Sequence, residues 1–318
     1  MTTAFLFPGQ GATFPGMGLD LCAAWEEARE VYELAARITG RDLLALARAA
    51  SREQLAATEA AHLLTFTHSL AVHRVLTAAG LHPDVVAGHS LGQWAALTAA
   101  GALSLDDGLR LIALRGRLLA ECCQRRPGGM LAARGLDLPG VEAALAAVAA
   151  QGIVAVAAVN GDEVVVSAEA SCLTAALRAL KGAGAASSPL GTAGAFHSPL
   201  MAAAADVLAP CVAALPLRDP ERPVLSTVSG APLTSAAEIR AEIAGHVLAP
   251  VRWDRVLDRL VELGVDRWIE VGPGKALTGL VRRRSRSASA FFTSTAPALA
   301  GLSGLSALSS PAAAGRPS

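Results

Sequence analysis

Charge is scarce in this sequence and leans to neither sign. Only 17% of the 318 residues are charged, and 27 basic side chains offset 27 acidic ones. Such a balanced chain carries no electrostatic footprint for nucleic acid or an anionic membrane, so neither is expected as a partner. Paired cysteines are missing too: Cys22, Cys122, Cys123, Cys172 and Cys211 are odd in number, and none has C-x-x-C spacing. That argues against a disulfide framework and against a metal site, and it fits a reducing compartment. No long apolar run opens the chain. The segment Ala4 to Phe7 is too short for a signal core or a membrane span, and no basic segment precedes it. A cytoplasmic, monomeric protein is expected. What the chain has in plenty is apolar residues, 53%, and at this length it can fill one large domain plus a small one, or two ordinary ones.

Apolar runs and turn residues divide the chain. Ala4 to Phe7 reads as a buried strand entering the loop Pro8-Gly9-Gln10-Gly11, with helical patterns at Trp25 to Ala36 and about Leu64 to Ala79. A strand at Val85 to Ala87 is followed by a helix from Leu91 to Ala100 that stops at Gly101. Ser104 caps the next helix, with Asp107 as its capping-box partner, and Pro127-Gly128-Gly129 breaks that helix after Cys123. Residues 130–190 then follow a βαββαβ order, with helices at Val141 to Ala149 and, capped by Ser171, at Cys172 to Lys181. That order predicts a ferredoxin-like insert. The larger unit resumes with a helix from Leu200, a strand at Val224 to Ser226, helices near Ala237 to Val247 and Trp253 to Glu262, and strands at Arg267 to Val271 and Ala290 to Thr293. The expected boundaries are 1–126 with 196–296 for the large α/β unit and 127–195 for the small one. Residues 297–318, rich in Ala, Gly, Ser and Pro, are expected to be a disordered tail.

Chemistry concentrates at Gly88-His89-Ser90-Leu91-Gly92. A G-x-S-x-G segment between strand and helix forces a tight turn that exposes the serine hydroxyl at a helix N-terminus, where free N–H groups can receive an oxyanion. A serine so placed needs a base. His89 adjoins it but points away from it, packed under the turn. His197 lies in Gly194-Ala195-Phe196-His197-Ser198-Pro199-Leu200-Met201, a loop where the insert returns to the larger unit, and is the candidate base; the plainer reading is a loop histidine bonded to backbone. No acid lies between Glu169 and His197, so a Ser-His dyad oriented by a backbone carbonyl or amide fits better than a full triad.

Arg115 stands on the wrong face of its helix. Measured from Leu109 at about 100° per residue, Asp106, Arg110, Arg117 and Glu121 share a polar face, whereas Arg115 projects to about 240°, among Leu111, Leu118, Leu119 and Ile112. A guanidinium cannot shed its proton there, so it needs a partner. The partner is either a structural carboxylate or the carboxylate of a substrate.

Phe7-Pro8-Gly9-Gln10-Gly11, the Ser90 turn, Arg115, Gly194 to Met201, Pro250-Val251-Arg252-Trp253 and Glu270 to Leu280 occur in an order and spacing that resemble the malonyl-CoA:acyl carrier protein transacylases of fatty acid and polyketide synthesis. The resemblance runs over about residues 3 to 295. It implies an α/β hydrolase-like core with a parallel sheet, interrupted by a ferredoxin-like subdomain. It also implies an enzyme with no bound cofactor whose substrates are malonyl-CoA, a coenzyme A thioester, and a phosphopantetheinylated acyl carrier protein. By the resemblance Ser90 is the nucleophile, His197 its base, Gln10 and the Leu91 N–H the oxyanion hole, and Arg115 the clamp on the malonyl carboxylate. Phe196 resembles the bulky residue that excludes an α-methyl branch. Three positions depart from the family: Gln93 replaces a glutamate, and His62 and His246 replace glutamines beside the pocket. The alternatives are a trans-acting polyketide synthase acyltransferase with another carboxylated acyl group, a serine esterase, and a non-catalytic interaction protein. The basic cluster Arg282, Arg283, Arg284 and Arg286 reads as a solvated helix end or as a carrier-protein docking patch.

Overall fold

The computed structural model describes residues 1–302. Strand β1 (Thr2–Phe7) is followed by α1 (Leu19–Ala24), α2 (Glu26–Thr39), α3 (Leu43–Ala49), α4 (Arg52–Ala56) and α5 (Thr58–Ala78). Then come β2 (Val85–Gly88), α6 (Gly92–Ala99), α7 (Leu105–Arg125), β3 (Gly128–Arg134), α8 (Leu138–Ala149), β4 (Val154–Val159), β5 (Glu163–Glu169), α9 (Ala170–Gly182) and β6 (Ala186–Leu190). A short 3-10 turn at Pro199–Met201 leads to α10 (Ala202–Ala214), β7 (Val224–Leu225), β8 (Pro232–Leu233), α11 (Ala236–Ala244) and β9 (Val251–Arg252). The described chain continues through α12 (Trp253–Glu262), β10 (Val265–Glu270), α13 (Ala276–Arg284), β11 (Ser289–Phe292) and α14 (Ala296–Ala300).

Two sheets result. The first has the order β11-β10-β1-β2-β7-β8, parallel throughout except for the edge strand β8, which runs antiparallel to β7. Its central strands are continuous apolar runs because helices cover both faces: Ala4 to Phe7 and Val85 to Ala87 are all buried. The second has the order β6-β3-β5-β4-β9. Its first four strands, with α8 and α9, form the predicted βαββαβ unit around a separate apolar cluster that includes Leu131, Val141, Leu145, Val166 and Leu180. The fifth, β9, comes from much later in the chain and pairs parallel with β4. Two residues long, it gives too faint a pattern to read in sequence.

Several local expectations need correcting. Gly128 and Gly129 do not merely break α7; they already belong to β3, paired with Glu169 and Ala168. Ser171 is not a cap. The preceding Glu169 is the N-cap residue and makes no side-chain cap bond, while the Ala170 N–H is satisfied by the Pro127 carbonyl at 2.9 Å. Ser104 does cap α7, but the Asp107 carboxylate accepts from the Ser104 hydroxyl at 2.6 Å rather than reaching back to the backbone, so half of a capping box forms. Residues 297–302, expected as part of the tail, are instead packed on the protein. Thr295 caps α14, Asp20 accepts from the Ala296 N–H, and Leu299 is fully buried. The rest of the expected tail, residues 303–318, lies outside the described residues. No helix among the described residues is long and apolar enough to cross a membrane.

Candidate active site

Strand β2 delivers Ser90 at its C-terminal end, the edge of a parallel sheet where crevices form. The turn is made by exclusion. A Cβ on Gly92 would lie 2.0 Å from the Phe7 carbonyl oxygen, and one on Gly88 would lie 2.1 Å from the Gly92 backbone, so both positions require glycine. Ser90 itself has φ of 51°, and the only other non-glycine residue with positive φ among the described residues is His197, at 54°. Left-handed backbone costs an L-residue about 1–2 kcal/mol. Here that cost falls on two residues 107 positions apart whose side chains meet.

The Ser90 hydroxyl donates to His197 Nε2 at 2.6 Å, and His197 Nδ1–H donates to the Ala249 carbonyl at 2.8 Å. The carbonyl fixes the tautomer and leaves Nε2 as a bare acceptor for the Ser90 hydroxyl, with a backbone oxygen where an acid would stand in a triad. Burial, and secondarily the Arg115 charge, lowers the His197 pKa to about 4, so the imidazole is neutral and proton-accepting near neutrality. His197 is held from both sides along the chain. Ser167 of β5 donates to the Phe196 carbonyl, and Ser198 donates to the Ala195 carbonyl at 2.6 Å. Just after Ala249, β9 joins the small sheet. His89 is packed beneath the turn as expected: Nε2 meets Asn160 Oδ1 at 2.9 Å and its ring stands edge-on to Trp253.

Arg115 is 3% exposed, among buried Leu111, Ile112, Leu118 and Leu119. No carboxylate pairs with it among the described residues. Its Nη1 donates to His62 Nε2, and its Nε is buried without a partner. Burial lowers its pKa to about 10, which leaves it charged at neutral pH. His62 is itself buried, with Nδ1–H donating to the Thr58 carbonyl at 2.6 Å. Burial and the adjacent guanidinium hold its pKa well below the usual histidine value, so Arg115 rests against a neutral ring.

The loop after β1 runs beside the serine turn: a Cβ on Gly9 would lie 3.8 Å from Ser90 Cβ. Gln10 follows, half-buried, and the Leu91 N–H makes no bond inside the turn. Phe196 is buried next to His197. His246 is fully buried, edge-on to both His197 and Trp94, and neither ring nitrogen has a partner among the described residues. Gln93 donates to the Leu225 carbonyl at 3.2 Å, a bond its expected glutamate counterpart makes only when protonated. Glu270, raised in pKa by burial, accepts from the Leu277 and Thr278 N–H groups and so seats α13 on the end of β10. In the basic cluster, Arg282 donates to the Ala290 carbonyl, Arg283 to Asp162 and Arg284 to Asp258.

Four contributors escape sequence reading: Thr58, Asn160, Ser167 and Ala249. Thr58 had a usable signal, since it precedes His62 by one helical turn, but the periodic pattern only becomes clear from Leu64. The other three act across large sequence separations, two of them through side chains no motif marks.

The acyl transferase domain family matches residues 4–300. A malonyl CoA-acyl carrier protein transacylase of Bacillus subtilis is 35% identical over 286 residues, 89% of this chain and 90% of the relative. The solved transacylase of Coxiella burnetii superposes with a TM-score of 0.90 at 31% identity, covering 94% of this chain and 96% of that one. A malonyl-transacylase solved in complex with its type II polyketide synthase acyl-carrier protein also gives 0.90, at 33% identity, covering 94% of this chain and 98% of that one. With nearly the whole chain matched in sequence and in fold, the protein belongs to the acyl transferase family that includes the malonyl transacylases.

Proposed function

We propose that the protein moves a malonyl group from coenzyme A to the phosphopantetheine thiol of an acyl carrier protein through an acyl-enzyme on Ser90. The observation that carries the choice of acyl group is Arg115: a buried guanidinium whose charge acts on His197 and whose hydrogen-bond partner is a neutral imidazole. A fixed cation without a counter-charge in a low-dielectric site selects an acyl group that brings its own carboxylate. An uncharged acyl chain would leave it unpaired.

In the first half-reaction Ser90 Oγ attacks the thioester carbonyl while its proton passes to His197 Nε2. The Leu91 N–H and the Gln10 side chain stabilise the tetrahedral oxyanion, the C–S bond breaks, and His197 returns the proton to the departing coenzyme A sulfur. In the second, the carrier thiol gives its proton to His197 and attacks the Ser90 ester, and the serine leaves with the proton restored. Phe196 narrows the pocket against an α-methyl branch, a discrimination of about 1–3 kcal/mol. His62 contacts Arg115, and His246 packs edge-on against His197. The cysteines are free, in keeping with a cytoplasmic location.

The test is intact-mass analysis after mixing with malonyl-CoA, followed by addition of either water or holo carrier protein. The expected result is one malonyl adduct, absent in Ser90→Ala, that persists in water and is discharged rapidly by carrier protein. Rapid discharge by water alone would make the protein an esterase, and no adduct would make it non-catalytic.

A further inference from the structure

We propose that His62 is the positioning residue of the Arg115 clamp and, through it, sets the preference for carboxylated acyl groups. The proposal rests on the reading of Arg115 given above and adds what holds the arginine in place.

The hydrogen bonds form a directed chain. The Thr58 carbonyl, one turn earlier on α5, accepts from Nδ1–H of His62, which fixes the proton on Nδ1. Nε2 therefore presents a lone pair, and Arg115 Nη1 donates into it across the α5–α7 interface. The interface is tight at this level: a Cβ on Gly116, the residue after Arg115, would lie 3.1 Å from Glu59 Cα and 3.2 Å from His62 Cβ. The close approach of the two helices keeps His62 against Arg115. Arg115 Nη2 donates to nothing among the described residues, and Nε has no partner.

The chemistry of the acceptor matters as much as its location. A carboxylate in place of His62 would hold the fork but cancel its charge and compete with the substrate's own carboxylate. An apolar residue would leave Nη1 unsatisfied and the side chain free to rotate. A neutral imidazole with a fixed tautomer does neither: it consumes one N–H, supplies no charge, and leaves the remaining donors with the full positive charge. The depressed His62 pKa, caused by burial and the neighbouring guanidinium, keeps that arrangement in force at neutral pH.

The experiment compares single-turnover loading of malonyl-CoA and acetyl-CoA in the full chain. Each rate is normalised to labelling of Ser90 by a small fluorophosphonate, which needs the dyad and not the clamp. His62→Leu is expected to raise the KM for malonyl-CoA by about tenfold or more, the effect of losing one hydrogen bond to a charged group. The malonyl-to-acetyl ratio should fall by a similar factor. His62→Gln, whose side-chain oxygen can accept the same N–H, should recover most of the loss, and His62→Glu should deepen it. Independently of activity, nitrogen NMR of the unmodified protein should show His62 with Nδ1 protonated and Nε2 bare. A malonyl KM and ratio within about twofold of wild type in His62→Leu, while Arg115→Ala loses both, would overturn the proposal, as would an Nε2-protonated His62. If Arg115→Ala also keeps both, the failure lies with the carboxylate reading itself.

Discussion

The six-stranded sheet is parallel but for its edge strand β8, is buried on both faces at its central strands and ends at Ser90 in a turn that only glycines can flank, whereas the five-stranded sheet is largely antiparallel and turns at an open hairpin. All seven histidines of the chain lie outside residues 127–195, and six of them are pushed down in pKa by burial around the larger sheet. The smaller unit contributes fastenings. Ser167 ties the Phe196 carbonyl, Asn160 meets the ring of His89, and β4 receives β9 immediately after the carbonyl that orients His197. One region therefore holds Ser90, His197 and Arg115, in strained backbone or in unfavourable protonation environments, and the other restrains them through neutral contacts. Strain and buried ionisable groups can persist only where the surroundings over-determine them.

Acid should separate the two regions most strongly. His68, His73 and His197 titrate near 6.5 when unfolded but only near about 4 when folded. Between those values the unfolded chain binds more protons, so stability rises with pH across the window and is lost as pH falls through it. The loss is roughly 3 kcal/mol per histidine at the acid end. Hydrogen exchange followed from pH 7 down to 4 should show amides of β1, β2 and β10 losing protection before those of β3 and β5. Simultaneous loss, or the reverse order, would contradict the contrast.

Glycines provide the next comparison. Gly92→Ala should destabilise the protein by about 3 kcal/mol or more in denaturant unfolding, because its Cβ meets Phe7 backbone that cannot withdraw. Gly161→Ala, in the β4–β5 hairpin, has φ of 92° but nothing within 4 Å of the new Cβ, so about 1 kcal/mol of backbone strain is all it should cost. Ser167→Ala and Asn160→Ala are expected to cost about 1 kcal/mol each, the loss of one buried or half-buried hydrogen bond. The Ser167 effect should disappear if its bond to Phe196 does not form in solution.

The same division explains what can be read from the sequence. Ser90 is legible because its turn is local: strand, glycines and helix fall within thirteen residues. Arg115 is legible because a charge in an apolar arc breaks a helical pattern, and the structure agrees by burying it without a carboxylate partner. The βαββαβ insert is legible from its alternating rhythm and turns. What escapes is the fastening between distant segments. A two-residue strand such as β9 has no periodicity, and nothing in the sequence links Ser167 to Phe196 or Asn160 to His89. Backbone contacts also override side-chain rules, as at Ala170, where the Pro127 carbonyl makes a serine cap unnecessary. The acceptor for Arg115 lies between these extremes: His62 is marked by its departure from the resembled family, but its tautomer depends on Thr58 and on where α5 begins.

The central claim, that a buried and uncompensated Arg115 makes the Ser90 site select a carboxylated acyl group, is tested most directly by one competition. Equimolar malonyl-CoA and acetyl-CoA are offered to the wild-type protein and to Arg115→Ala, and the adducts on Ser90 are counted by intact mass. The expected result is a malonyl adduct on the wild type and a shift toward acetyl by about 100-fold or more in Arg115→Ala, the effect of removing a buried charge-assisted contact. An unchanged adduct ratio between the two proteins would contradict the account.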